Sequence, residues 1–210
     1  MTDIREITRL ATAAGGIVSL DARAVRASVT VAARARPADL ERPTPCGDWT
    51  LARLLAHMAA QHDGFAAAAA GHGADLAAWQ VQPPAADPVA ACAAAADRVL
   101  AAFAADGVLG REFALPEIAP GAAFPAPQAI SFHFIDYVVH GWDVARSLGL
   151  DYDLEPDLLE VALAVAEAVP DGQSRLRPSA AFAPGLALPE GAGQLDRIVA
   201  LLGRQPGWRP

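Results

Sequence analysis

Long alanine- and leucine-rich stretches, cut at intervals by proline and glycine, constrain this chain more than any other feature. Alanine is the strongest helix former, and aromatic residues and β-branched runs are sparse, so the backbone is directed toward helices rather than sheets. One helical tract covers residues 19–36, with Leu20, Val25, Val29 and Val31 among its apolar positions, and Pro37, Pro43 and Pro45 break it. A second helix is expected from Thr50, whose hydroxyl can cap it, through His57 to about residue 70, with Gly71-His72-Gly73 as its stop. Asp87 as cap and Pro88 in the first turn start a third over residues 89–105, where Val89, Cys92, Ala96, Val99, Leu100 and Phe103 recur at helical spacing. After an irregular crossing at residues 110–128, a fourth should run from near Pro127 to Gly149. The expectation is an all-α fold. A four-helix bundle occupies residues 1–150, and a small helical and irregular appendage, residues 151–210, packs on it. Within the appendage a helix is expected at 155–169, a short extended segment at 181–188 and a last helix at 194–202.

Charge excludes some functions. The 210 residues carry a formal net charge of -8, and all 16 basic residues are arginines without a cluster. An acidic chain with no basic stripe is a poor nucleic-acid binder. No run approaches the roughly 18 uninterrupted apolar residues of a membrane span. The first residues lack the charged-then-apolar pattern of a signal peptide, so the cytoplasm is the expected location. Two cysteines allow no disulfide framework or CxxC site. Cys92 reads as a small core residue. Cys46 sits just before a helix, whose dipole could lower a thiol pKa.

The chemistry concentrates in two helices. Asp136-Tyr-Val-Val-His140-Gly-Trp142-Asp143 sets a carboxylate and an imidazole one turn apart, and Leu54-Leu-Ala-His57-Met sets a second imidazole in another amphipathic helix. At about 100° per residue, with Asp136 at zero, His140 falls near 40°, His133 near 60° and Asp143 near -20°, a polar stripe beside the apolar arc. Two histidines and a carboxylate from two helices make a three-ligand set for a divalent metal, with positions left open for chemistry. If so, the imidazoles of His57 and His140 lie within about 6 Å of each other. The competing reading is ordinary: histidines bordering a core face, hydrogen-bonded and structural. His62 fits that role, His72 fits a surface loop, and Trp49 and Trp142 fit packing or a pocket wall. Asp143 is a candidate to orient His140 from outside the ligand set. His133 is a candidate fourth ligand or acid/base group, and Arg53 a candidate receiver of an anionic substrate.

Thr44-Pro45-Cys46-Gly-Asp-Trp49-Thr50-Leu-x-x-Leu54-Leu55-x-His57, followed by Asp136-x-x-x-His140-Gly-Trp142-Asp143-x-Ala145-Arg146, resembles the metal-binding domain of the mycothiol-dependent maleylpyruvate isomerase family, part of the DinB-like superfamily of metal-carrying four-helix bundles. The resemblance covers about residues 19–149, and the tail is similar to that of short, uncharacterised members. It implies that His57, Asp136 and His140 are the metal ligands. The isomerase of that family has glutamate where this chain has Asp136, and its C-terminal domain, which supplies substrate contacts, is larger than the about 60 residues that follow the bundle here. The implied cofactors are a divalent metal, with zinc the expected ion, and mycothiol as cosubstrate. The implied partners are a low-molecular-weight thiol and a small electrophile, with no nucleic acid and no membrane; a homodimer is compatible with all of this. The expected activity is thiol transfer or thiol-assisted isomerisation. The alternative is a bundle that binds metal and small ligands without turnover.

Overall fold

A computed structural model describes residues 4–177, 180–188 and 190–210. Among them are α1 (Ile4–Ala13), α2 (Ile17–Ala32), α3 (Leu51–Ala69), α4 (Pro88–Phe103), α5 (Ala126–Leu148), α6 (Pro156–Ala168) and α7 (Gln194–Leu201). The fold is the helical bundle expected from the alanine-rich tracts. Helix α2 packs mainly on α5 and α3 on α4, while α6 and α7 pair beside them and α1 leans on α6.

Local chemistry places the ends. Thr50 caps α3 by accepting from the Arg53 amide at 3.3 Å, and Asp87 caps α4 through the Ala90 amide at 3.0 Å. One buried cluster joins Leu20, Leu51, Leu54, Leu55, Met58, Tyr137 and Val138 to Leu158 and Val161 of α6 and Ile198 of α7. A second gathers Phe65, Trp79, Phe103, Phe113 and Ile130 at the far end of the bundle. Burying several such side chains at about 1.5–3 kcal/mol each outweighs what alanine propensity alone supplies. Gly141 matters for close approach: a Cβ there would collide with the Tyr152 hydroxyl oxygen.

Three features depart from the sequence expectation. Helix α1 forms in the first residues, for which no helix is expected from the sequence. The crossing between α4 and α5 contains an antiparallel hairpin, β1 (Glu112–Ala114) paired with β2 (Ala123–Pro125). Described residues 180–188 hold no strand. That loop is tied down instead by Leu186, whose amide donates to Ala200 at 2.9 Å, and by buried Arg175, which donates to the carbonyls of Ala183 (3.2 Å), Leu201 (2.6 Å), Pro170 (2.9 Å) and Val169 (3.0 Å). One guanidinium thus satisfies backbone acceptors that a strand partner would otherwise take.

Candidate metal centre

The turn of α3 that carries His57 faces the turn of α5 that carries Asp136 and His140. One nitrogen or oxygen from each of these three residues lies within 4.8 Å of the others. The two imidazole centroids are 5.3 Å apart in an edge-on arrangement. His140 Nε2 lies 3.4 Å from Asp136 Oδ1. Two ligands each about 2.1 Å from a tetrahedral ion sit about 3.4 Å apart, so this donor pair fits a cation without rearrangement. His57 and Asp136 are half-buried and His140 is buried, which leaves one side of the cluster open.

Electrostatics suit the same role. Burial, with His140 close by, lowers the pKa of His57 to about 4, so its imidazole is neutral and free to donate at neutral pH. Burial works against charge on His140 as well, but the Asp136 carboxylate and the Asp143 hydrogen bond outweigh it and hold that pKa well above the ordinary imidazole value. A cation bound here would take the place of the proton on His140.

Behind His140 lies a second ring of contacts. Its Nδ1–H donates to Asp143 at 3.0 Å, which directs Nε2 toward Asp136 and His57. The Cys46 thiol donates to the same Asp143 oxygen at 3.0 Å. Thr44 shapes this loop: its hydroxyl donates to the Trp49 carbonyl at 2.9 Å and accepts from the Cys46 amide at 3.2 Å. Cys46, His140 and Asp143 also form a metal-capable trio. Their cation is already present, because the Arg204 guanidinium contacts both Asp143 oxygens (3.3 and 3.1 Å) and the Cys46 sulfur (3.4 Å). Of the two trios, the one formed by His57, Asp136 and His140 holds no such side-chain cation among the described residues and is the candidate for a divalent ion. Burial, reinforced by Asp143, pushes the Cys46 thiol pKa up. The thiol is therefore not the activated thiolate that its place before a helix could have favoured.

His133 is placed elsewhere. It is fully buried, with Nδ1 2.6 Å from Asp21 Oδ1 and Nε2 3.1 Å from His62 Nδ1. Both its nitrogens are engaged one layer deeper than the centre. His62 is packed as expected, stacked on Tyr137 at 3.9 Å, with its pKa driven well below the imidazole value by burial. Asp21 completes this layer from α2, so the residue spacing within α3 and α5 gives no sign of it. Trp49 lines the centre, its ring 4.8 Å from His57, and Arg53 lies over that ring at 5.2 Å. Trp142 is buried in the core under Arg146, and His72 is exposed. Gln61, one turn after His57, donates to Glu117 of the hairpin loop at 2.8 Å.

Comparison with known proteins bears on the family and the fold. Residues 22–145 match the Mycothiol maleylpyruvate isomerase N-terminal domain. Uncharacterized proteins from two strains of Mycobacterium tuberculosis are 33% identical over 186 residues, covering 87% of this chain and 94% of theirs. The fold is similar to crystal structures of the mycothiol-dependent maleylpyruvate isomerase (TM-score 0.51, 17% identity, 72% of this chain and 67% of that one) and of its histidine-to-alanine mutant (TM-score 0.52, 14% identity, 71% and 68%). No helix among the described residues is long and apolar enough to cross a membrane.

Proposed function

The chain belongs to the mycothiol maleylpyruvate isomerase N-terminal domain family, and on that premise we propose that it is a divalent-metal-dependent transferase or isomerase, using a thiol of the mycothiol type on a small electrophile. The observation that carries this is the convergence of His57, Asp136 and His140 with one side open. These three residues would hold the ion, with zinc the proposed metal. Bound there, it would supply Lewis acidity that brings a coordinated thiol or water into its nucleophilic form near neutral pH. His57 contributes a neutral donor, Asp136 the negative charge, and His140 a donor whose orientation Asp143 fixes. Trp49 walls the open side, and the Arg53 guanidinium over it gives an anionic substrate a favourable approach. Thiol chemistry of this kind needs a reducing compartment, so the proposed location is the cytoplasm.

The other ionisable groups around the centre are engaged: Asp143 by Arg204, His133 by Asp21 and His62, Glu117 by Gln61. That favours a second reading, a bundle that binds metal and small ligands without turnover. Elemental analysis of protein purified without chelator tests the shared premise. One divalent ion per wild-type chain, lost in His140→Ala, is expected; metal-free wild type or unchanged occupancy in the variant overturns it. Metal-dependent, saturable thiol transfer to generic electrophiles then separates the enzyme from the binding protein.

A further inference from the structure

Arg204 lies beyond residues 22–145, the span matched by the family domain, yet it is buried (8% exposed) against the back of the metal centre. Its route there is built by the end of α7. The Arg204 amide donates to Val199 at 2.8 Å and the Gly203 amide to Ala200 at 3.0 Å, with Gly203 at φ +80°. This pair of bonds around a left-handed glycine reverses the chain at a helix C-terminus and turns the next residue inward. The inward side chain then meets Asp143 in a two-pronged contact, Nε to Oδ1 at 3.3 Å and Nη2 to Oδ2 at 3.1 Å. The same Asp143 carboxylate accepts from His140 Nδ1 and from the Cys46 thiol.

We infer that Arg204 is a positioning residue of the metal centre: by clamping Asp143 it fixes the ring of His140, so the C-terminal appendage is part of the site. A fork contact holds a carboxylate in one plane, which a point charge cannot do. With Asp143 held, Nδ1 of His140 has a fixed partner and Nε2 points to the cation position. Without Arg204, Asp143 is a buried carboxylate shared between an imidazole and a thiol, and it turns toward whatever neutralises it. The inference rests on the metal reading for its affinity arm, while its structural arm stands without metal.

The test compares wild type, Arg204→Met and Arg204→Lys. Cobalt(II) and zinc(II) affinities are measured by chelator competition, the cobalt(II) absorption spectrum is recorded, and proton NMR of the metal-free protein follows the hydrogen-bonded Nδ1–H of His140, assigned by its loss in His140→Ala. Arg204→Met is expected to bind metal about 10–100-fold more weakly, as contacts behind a ligand typically do. Its cobalt spectrum should change and its Nδ1–H signal should shift or broaden, with Arg204→Lys between it and wild type. If Arg204→Met fails to fold, Arg204→Lys decides alone, because the ammonium keeps the charge and loses the fork. A folded variant with wild-type affinity, spectrum and Nδ1–H signal overturns the inference. Wild type that takes up neither ion overturns the metal reading instead, and the metal-free Nδ1–H signal still decides the role of Arg204.

Discussion

A carboxylate four residues before a histidine on one helix reaches the same cation only if its length suits the gap. Asp136 is placed for this role, with its Oδ1 3.4 Å from His140 Nε2. Asp136→Asn keeps the shape and removes the negative charge, so metal affinity should fall by more than the roughly 10–100-fold of an outer contact. Asp136→Glu, which keeps the charge and adds one methylene, should retain the ion with an altered cobalt(II) spectrum. Chelator competition on both variants checks this, and equal affinity in wild type and Asp136→Asn would remove the carboxylate from the ligand set. Asp21 makes the contrasting case. Asp21→Ala strips the partner from a fully buried imidazole, at a cost of about 3 kcal/mol in urea unfolding. Because His133 belongs to the deeper layer, metal content per chain should stay at its wild-type value.

At the scale of elements, the turn after α7 joins stability to the site. A Cβ on Gly203 would meet Ala183 at 2.6 Å, and the position has φ +80°. Gly203→Ala should therefore cost at least the roughly 1–2 kcal/mol of a left-handed alanine, and it should weaken metal binding by displacing Arg204. The same variant carries a pH signature. Burial alone would raise the Asp143 pKa, but Arg204 and His140 outweigh it and hold it at about 2. A carboxyl depressed in the folded state contributes its stability in full above its unfolded value near 3.9, and loses it as pH falls through the folded value. Loosening Arg204 raises the folded pKa, so the acid-unfolding midpoint of Gly203→Ala should move to higher pH. Far-UV circular dichroism against pH measures it; an unmoved midpoint would detach Arg204 from Asp143. Elements of this kind are poorly legible in the sequence. Helices α3, α4 and α5 can be read because Thr50, Asp87 with Pro88, and Gly149 mark their ends. Helix α1 is only 10 residues long, with Gly15-Gly16 marking just its C-terminal end, and it packs against α6, far away in the sequence. The β1–β2 hairpin has three-residue strands in a proline- and glycine-rich stretch, too short to show alternation.

Across the whole molecule, legibility follows sequence separation. His140 and Asp136 are one turn apart and His57 sits beside a second apolar face, so spacing makes the three candidates, and the family resemblance is what singles them out. Arg204 stands 61 residues from Asp143 and 158 from Cys46, and nothing in helical spacing links them. The centre therefore draws on the loop at residues 44–50, on α3, on α5 and on the C-terminal segment at once. A cation bound there would tie α3 directly to α5, and a ligand that binds only the folded state stabilises it by mass action. With metal at about 100 times its dissociation constant the gain is about 2.7 kcal/mol. For a chain of this size each kcal/mol raises Tm by roughly 2–4 °C, so zinc should raise it by roughly 5–11 °C. Chelator should reverse the shift, and His140→Ala should show none. Equal melting with zinc and with chelator would mean that His57, Asp136 and His140 meet for packing alone, and that the bundle holds its shape without an ion.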